Sequence, residues 1–362
     1  MKNTFGNNFS VTIAGESHGA GITVIIDGAE PGIELTDGDI GNALSLRRPS
    51  GSFSTGRRES DEFTVTSGVF ENRTTGTPIS IFIKNSDVRS ADYDRDFVRP
   101  GHADLTARIK YRGFEDYRGG GHFSGRVTAG ICAAGAVAGK ILAEKGIRVV
   151  SRIKRCAGID DMRIDGAVSD DIFDSLSGKA FPVLDLSAGE KMKDMINLAA
   201  SAGDSVGGVS ETFVFGLRGG IGEPFFDSVE SVISHAVFSV PGVKGIEFGG
   251  GFALSDMRGS EANDAVYQDG GKICYESNNS GGINGGITNG MPVVFSAAIK
   301  PTPSVSVPQK TVRFINGVPE NAFISVKGRH DPCIVHRAVH VITAVTSVAI
   351  LDLYLSRRGY IE

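Results

Sequence analysis

The sequence predicts a mixed α/β fold of short strands interleaved with several helices, and three observations carry that expectation. Runs of five to eight residues rich in β-branched side chains recur between glycine and proline turns, as at 10–14, 22–26, 63–70, 78–84 and 292–299. Apolar residues repeat with helical spacing over 127–142 and again over 335–357, the first segment being rich in alanine and glycine. Glycine makes up 49 of 362 residues, about twice the usual share of roughly 7%, without a three-residue period. That excludes a collagen-like chain and implies tight turns and close backbone contacts.

At 362 residues the chain can bury a large core. No interval reads as a disordered linker, so one domain over 1–362 is expected. A net charge of -5 gives no reason to expect a nucleic-acid partner. Cys132, Cys156, Cys274 and Cys333 lack metal-ligand spacing and suit a reducing cytosol. The first nineteen residues show no basic region followed by an apolar segment, hence no export signal. The C-terminal apolar segment is interrupted by His336, Arg337 and His340 and runs for only about eleven residues in succession, short of the ~20 a membrane span needs. A soluble, cytoplasmic protein without a membrane partner is therefore expected.

The strand at 10–14 leads into Gly15-Glu16-Ser17-His18-Gly19, where a turn exposes side chains. Taken alone, His18 reads more readily as a turn histidine than as a functional one. Thr36 and Asp39 are placed to cap a helix that runs through Leu46 and ends at Arg47-Arg48-Pro49. Arg57 and Arg58 follow, so four arginines fall within twelve positions, each a planar fork suited to phosphate or carboxylate. Glu59, Asp61 and Glu62 are close enough in sequence to neutralise them instead. The strands at 63–70 and 78–84 are expected to join through a Thr-Gly turn. The polar segment 85–97 reads as a loop or lid with Tyr93 as its largest anchor.

The stretch 99–130, RPGHADLTARIKYRGFEDYRGGGHFSGRVTAG, organises the rest. It holds six basic residues among three acids, passes through Gly119-Gly120-Gly121, and enters an alanine-rich helix that Ser124 can cap. Three adjacent glycines let backbone approach a bound group, and the arginines suit an anion. A helix start here would present N–H groups to that anion. Solvated surface arginines are the plainer alternative.

Further strands are expected at 147–153 and 206–217, helices at 188–202 and 227–238, and a peripheral insertion at 159–178. Gly281 to Gly286 resembles a backbone platform, and Lys300-Pro301-Thr302-Pro303-Ser304 is a stiff strap carrying charge and hydroxyls. Gly328-Arg329-His330-Asp331-Pro332-Cys333 precedes the last helix, with Asp331 near its start, where a carboxylate is favoured electrostatically or simply caps. His336 and His340 share a helix face, but neighbouring arginines oppose a cation and no HExxH or CxxC motif accompanies them, so no metal is expected.

Together the segments 15–19, 47–49, 69–78, 99–104, 116–121, 258–261, 300–302 and 328–333 lie in the order found in chorismate synthases, and the chain resembles that family along most of its length. The resemblance implies a sandwich of antiparallel β-sheets enclosing helices, usually assembled as a homotetramer. It implies loss of the 3-phosphate and a C6 hydrogen from 5-enolpyruvylshikimate 3-phosphate, giving chorismate, with reduced FMN required despite no net redox change. It also implies roles. His18 becomes the acid for the leaving phosphate, His102 a proton donor at the flavin, and Asp331 the group that works during C6 deprotonation. Ser17, Arg47, Arg48, Arg126 and Arg329 become substrate ligands. His122, Phe123, Ser124, Pro241, Gly242, Gly285, Lys300, Pro301, Thr302, Pro303, Ser304 and Arg329 become FMN contacts.

Three departures from the family pattern stand out. His122-Phe123-Ser124 occupies the place of Arg-Ser-Ser, Val127 replaces an acid beside Arg126, and Phe53 stands where an arginine is common, with Arg57 or Arg58 as substitutes. Some relatives reduce their own flavin; without an added nicotinamide domain, a separate flavin reductase and only indirect use of NADPH are expected here. Two competing readings are a non-catalytic phosphate- or flavin-binding module and a metal-independent phosphotransfer enzyme.

Overall fold

The structure is a computed structural model and describes residues 3–49, 51, 53–54, 60–86, 93–164, 171–326 and 331–357. Two five-stranded sheets, antiparallel throughout, bracket a layer of helices. The first runs in the order Thr4–Phe5, Ser10–Gly15, Gly21–Asp27, Ile79–Lys84, Phe63–Ser67, and the second in the order Val243–Phe248, Val293–Ile299, Gly208–Phe215, Arg148–Cys156, Ile159–Asp160. The expected sandwich of sheets around helices is the architecture found.

Strand alternation explains which way each sheet faces. Ile22, Val24 and Ile26 pair across the ladder with Ile83, Ile81 and Ile79, and all six side chains are fully buried on the helix side. Each such side chain contributes on the order of 1.5–3 kcal/mol through burial. In the second sheet Val214 joins the same core, while Phe213 and Phe215 point the other way, into a small cluster with Leu176. Leu176 ends the helix Asp171–Leu176, so part of the expected peripheral insertion covers the outer face of this sheet.

Between the sheets lie the helices Thr128–Glu144 and Val335–Ser356, the first against Gly21–Asp27 and the second against Arg148–Cys156. They meet at Gly135, where a Cβ would come within 2.4 Å of the Ala344 Cβ. Small residues are what permit this crossing, and sheet or helix on every side buries the Thr128–Glu144 helix well beyond a single face. The Val335–Ser356 helix is long and apolar enough to cross a membrane by length and composition, which corrects the sequence count; 78% of its apolar window is buried inside the fold.

Other expectations shift in detail. The Thr36 cap is present as a capping box on Asp37–Arg47. The segment expected as one strand at 63–70 breaks at Gly68, and a small hairpin, Val69–Phe70 with Arg73–Thr74, stands before the next sheet strand. Three further hairpins, Val266–Asp269 with Lys272–Tyr275, Ile283–Asn284 with Ile287–Thr288, and Gln309–Ile315 with Val318–Ile324, lie outside both main sheets.

Candidate active site

A cavity of about 1410 Å³ opens where the first turns of the two core helices meet the 93–126 segment and the 300–304 strap. Its lining is mixed. Ile131, Ala134, Val341, Val345 and Val348 give an apolar wall from the two helices, while Arg47, Arg99, Arg126, Lys300 and Arg337 bring positive charge.

The glycine triplet builds one edge. Gly119, Gly120 and Gly121 all take left-handed φ of 61°, 82° and 54°, a region in which side chains are strained. A Cβ at Gly119 would lie 2.6 Å from the His18 ring and 2.7 Å from Ser17 Oγ, so the backbone rests directly on both. Ser17 N–H donates to the Gly121 carbonyl at 3.0 Å, and Ser124 Oγ lies 3.2 Å from Ser17 Oγ. His18 and Ser17 are buried one layer behind Gly119, Gly120 and Ser124, which do line the cavity. Tyr93, also in the lining, meets the His18 ring edge-on at 5.3 Å and lies under Arg99. The anchor role expected of Tyr93 is met by these contacts.

Much of the expected basic cluster is satisfied internally. Arg99 forks onto Asp104 through two 2.7 Å bonds, and Arg118 pairs with Asp116 at 2.8 Å. Hydrogen bonds from Arg118 hold Asp116 below the usual carboxylate range, against partial burial. His122 Nδ1 is 2.8 Å from the Gly15 carbonyl, so the departure from arginine ties the glycine loop to the strand Ser10–Gly15. Ser124 accepts from the Arg126 N–H and starts the short 3-10 turn Gly125–Val127 ahead of the long helix.

Arg126 does not need the acid missing at Val127. Its Nε donates to Asn85 Oδ1 at 2.8 Å, Nη2 to the Lys84 carbonyl at 2.8 Å, and Nη1 to Asp61. Asp61 also receives Arg47 at 3.4 Å and Arg48 at 3.0 Å. Burial alone would push the Asp61 carboxyl up; the charges of Arg47 and Arg126, with hydrogen bonds from Arg126 and Arg48, outweigh it and hold the group below the usual range. Arg48 is not among the lining residues.

The far wall is set by Asp331 and by Arg337, which the sequence reading did not assign to the site. Arg337 Nη1 donates to Asp331 Oδ2 at 2.5 Å and its Nε to the Arg47 carbonyl at 2.8 Å. Burial raises the Asp331 carboxyl above its ordinary value, and Arg337 with the Cys333 N–H offsets only part of that. The signal for Arg337 was a basic residue in the first turn of the last helix, six positions after Asp331, from where one side chain reaches both groups.

His102 Nε2 is 2.8 Å from Ser304 Oγ, and Lys300 Nζ donates to the Gly101 carbonyl at 2.6 Å, so the strap and the His102 turn form one unit. Pro241, Gly242, Phe123, Pro301, Thr302 and Pro303 complete this side. Two polar donors of the lining are buried and make no hydrogen bond to any described residue, Thr302 Oγ1 and Arg47 Nε, and two carboxylate oxygens, Glu115 Oε2 and Asp331 Oδ1, are left likewise. A buried hydroxyl and guanidinium left this way call for an external acceptor. With the apolar wall beside them, these donors fit a flat heteroaromatic ring and an anion, as FMN and a phosphorylated substrate would supply.

Not every expected residue joins this set. Gly285 is exposed in the turn between Ile283–Asn284 and Ile287–Thr288, away from the cavity lining. Phe53 packs edge-on against Phe181 and His336 at 5.3 and 5.1 Å, an aromatic cluster rather than an anion contact. Arg57, Arg58 and Arg329 lie outside the described residues.

Comparison with known proteins gives the family. The family profile described as chorismate synthase matches residues 9–355. The chorismate synthase of Chitinophaga pinensis is 46% identical over 355 residues, covering 98% of this chain and 96% of that one. That of Aeropyrum pernix is 43% identical over 360 residues, covering 99% and 94%. A crystal structure of chorismate synthase superposes with a TM-score of 0.73 at 27% identity, covering 98% of this chain and 93% of that one. The chain belongs to the chorismate synthase family.

Proposed function

We propose that this cavity binds 5-enolpyruvylshikimate 3-phosphate together with reduced FMN and carries out trans-1,4-elimination, breaking the C3–phosphate bond and removing a hydrogen from C6 to give chorismate and phosphate. One observation carries the reading best. Arg337 ties Asp331 to the backbone of Arg47, so a carboxylate for the C6 hydrogen and an arginine for the departing phosphate are held beside one another by a single side chain.

When bound, reduced FMN supplies an electron-rich ring beside the substrate that assists C–O cleavage without net redox change. The apolar helix wall and the 300–304 strap, with Thr302 Oγ1 as a free donor, hold that ring and exclude water. Arg47 and Arg126 stabilise charge as it develops on the leaving phosphate. His18, behind Gly119, supplies the proton that neutralises it. Asp331 Oδ2 or Oδ1 receives the C6 proton, and burial makes it a stronger base than an exposed aspartate. His102, its ring oriented by the contact between Nε2 and Ser304 Oγ, would hold a proton for the flavin.

We take residues 1–362 as one catalytic unit, supported by a single apolar cluster that runs from Phe9 to Leu353. The unit is proposed to assemble as a homotetramer, with exposed Phe225, Phe226 and Phe252 as contact surface, and to receive reduced FMN from a separate reductase. Oxygen-free assays with chemically reduced FMN test the reaction: phosphate and chorismate should appear in step, and neither with oxidised FMN. Folded protein that binds flavin without turnover would move the binding-module reading ahead. Turnover from oxidised FMN and NADPH alone would overturn the separate reductase, and light scattering checks the tetramer.

A further inference from the structure

Three guanidinium groups converge on one carboxylate behind the cavity. Asp61 is 1% exposed and does not line the cavity, whereas Arg47 and Arg126, which it contacts, do. Arg48 closes the third side at 3.0 Å. Buried like charges repel and each needs a partner, so without Asp61 these guanidiniums would swing apart or draw in water. One carboxylate cannot neutralise three guanidiniums, which leaves the cluster positive toward the cavity. Arg126 is further pinned by Asn85 and the Lys84 carbonyl, while Arg47 keeps Nε without a partner among the described residues. Asp61 itself sits at φ 52°, a left-handed backbone uncommon outside glycine, although aspartate adopts it more readily than most residues.

We propose that Asp61 is a positioning residue: it clamps Arg47 and Arg126 at the spacing that receives a phosphate monoester, without touching the ligand. The inference rests on the cavity being a phosphate-eliminating site, and it names the group that sets the geometry of its anion subsite.

The test uses the full chain with oxidised FMN bound and inorganic phosphate as the probe. Phosphate affinity of wild type, Asp61→Asn and Asp61→Glu is measured by calorimetry, FMN affinity by fluorescence, and KM and kcat with reduced FMN. Asp61→Asn should weaken phosphate binding about tenfold and raise KM by a similar factor, with FMN affinity within about twofold of wild type. Asp61→Glu, which keeps the charge on a longer arm, should fall between, with about threefold weaker phosphate binding. Phosphate affinity unchanged in the folded variants, or phosphate and FMN affinities falling together, would overturn the assignment. If Asp61→Asn does not fold, Asp61→Glu decides by the same two affinities. Wild-type protein that binds phosphate but never turns over would refute the reaction while leaving the calorimetric comparison intact.

Discussion

The bodies of the two core helices and the segments that lead into them are built on opposite terms. Along Thr128–Glu144 and Val335–Ser356 the buried residues are small or aliphatic, and the helices touch so closely that Gly135 has no room for a Cβ. At their starts sit Arg126, Asp331 and Arg337, charged groups that are buried or nearly so and held by one another and by Asp61. The difference teaches how the fold divides its labour. Close-packed bodies fix the positions of two helix starts to within side-chain contact, and the helix starts place charges that water would otherwise screen. Substitutions should therefore separate: at the starts, activity falls while the fold survives; in the bodies, stability changes first.

The largest expected effect is at a helix start. Asp331→Asn keeps the shape of the side chain but cannot accept a proton, and kcat should fall about 10² to 10⁴-fold, with the thermal midpoint moving by no more than about 5 °C. In the proposed role the wild-type reaction needs the ionised carboxylate. Because burial raises this carboxyl, activity should be lost as pH falls through a value above the ordinary ~3.9 of aspartate. Rates of single turnover against pH measure both points. An unchanged rate in the folded variant would remove Asp331 from proton transfer.

The bodies give the converse. Gly135→Ala places a methyl 2.4 Å from the Ala344 Cβ and 2.5 Å from its Cα, and such overpacking should cost about 1–3 kcal/mol. Adding Ala344→Gly removes only the first of these contacts, so rescue should be partial. One turn on, a Cβ at Gly139 meets nothing within 4 Å, and Gly139→Ala should stabilise by about 0.5–1 kcal/mol through helix propensity. Denaturant titration reads both signs. Equal effects at the two glycines would mean that the helix crossing does not depend on close approach.

The same contrast explains how far the sequence could be read. Isoleucines alternating at 79, 81 and 83, and β-branched residues filling 22–26, declare strands, and the Thr36–Asp39 cap declares a helix start, because those signals are local. The core helix Thr128–Glu144 is harder: alanine and glycine fit a buried or an exposed face equally, so periodicity could not show that nearly the whole helix is enclosed. Asn316-Gly317 carries the turn of the Gln309–Ile315 hairpin with φ of 51° and 82°, a local signal that was present and went unread. For the site, His18, His102, Arg126 and the strap stand in motifs that resemblance could locate. Asp61 and Arg337 do not: Asp61 is one acid among three neighbours, and only the folded chain shows which of them meets three arginines.

A pH-dependent effect separates the first two turns of Val335–Ser356 from its body. His336 and His340 are buried there beside Arg337, and burial is the main reason their imidazoles fall to about 3 and about 4. Both are neutral in the folded protein near pH 6, whereas in the unfolded chain each takes up a proton as pH drops through about 6.5. The unfolded state then binds more protons than the folded one, so stability falls with pH, by about 1.4 kcal/mol per pH unit for each histidine once its unfolded form is fully charged. The loss continues down to the folded values. His340→Gln keeps a polar side chain of similar reach that does not titrate, and it should make the decline between pH 6.5 and 5 shallower by about 1–2 kcal/mol. Unfolding free energies at pH 7, 6 and 5 for the two proteins decide the matter. Parallel lines would mean that the His340 imidazole gains its proton in the folded state as readily as in the unfolded one, and that this end of the helix is wetter than its packing implies.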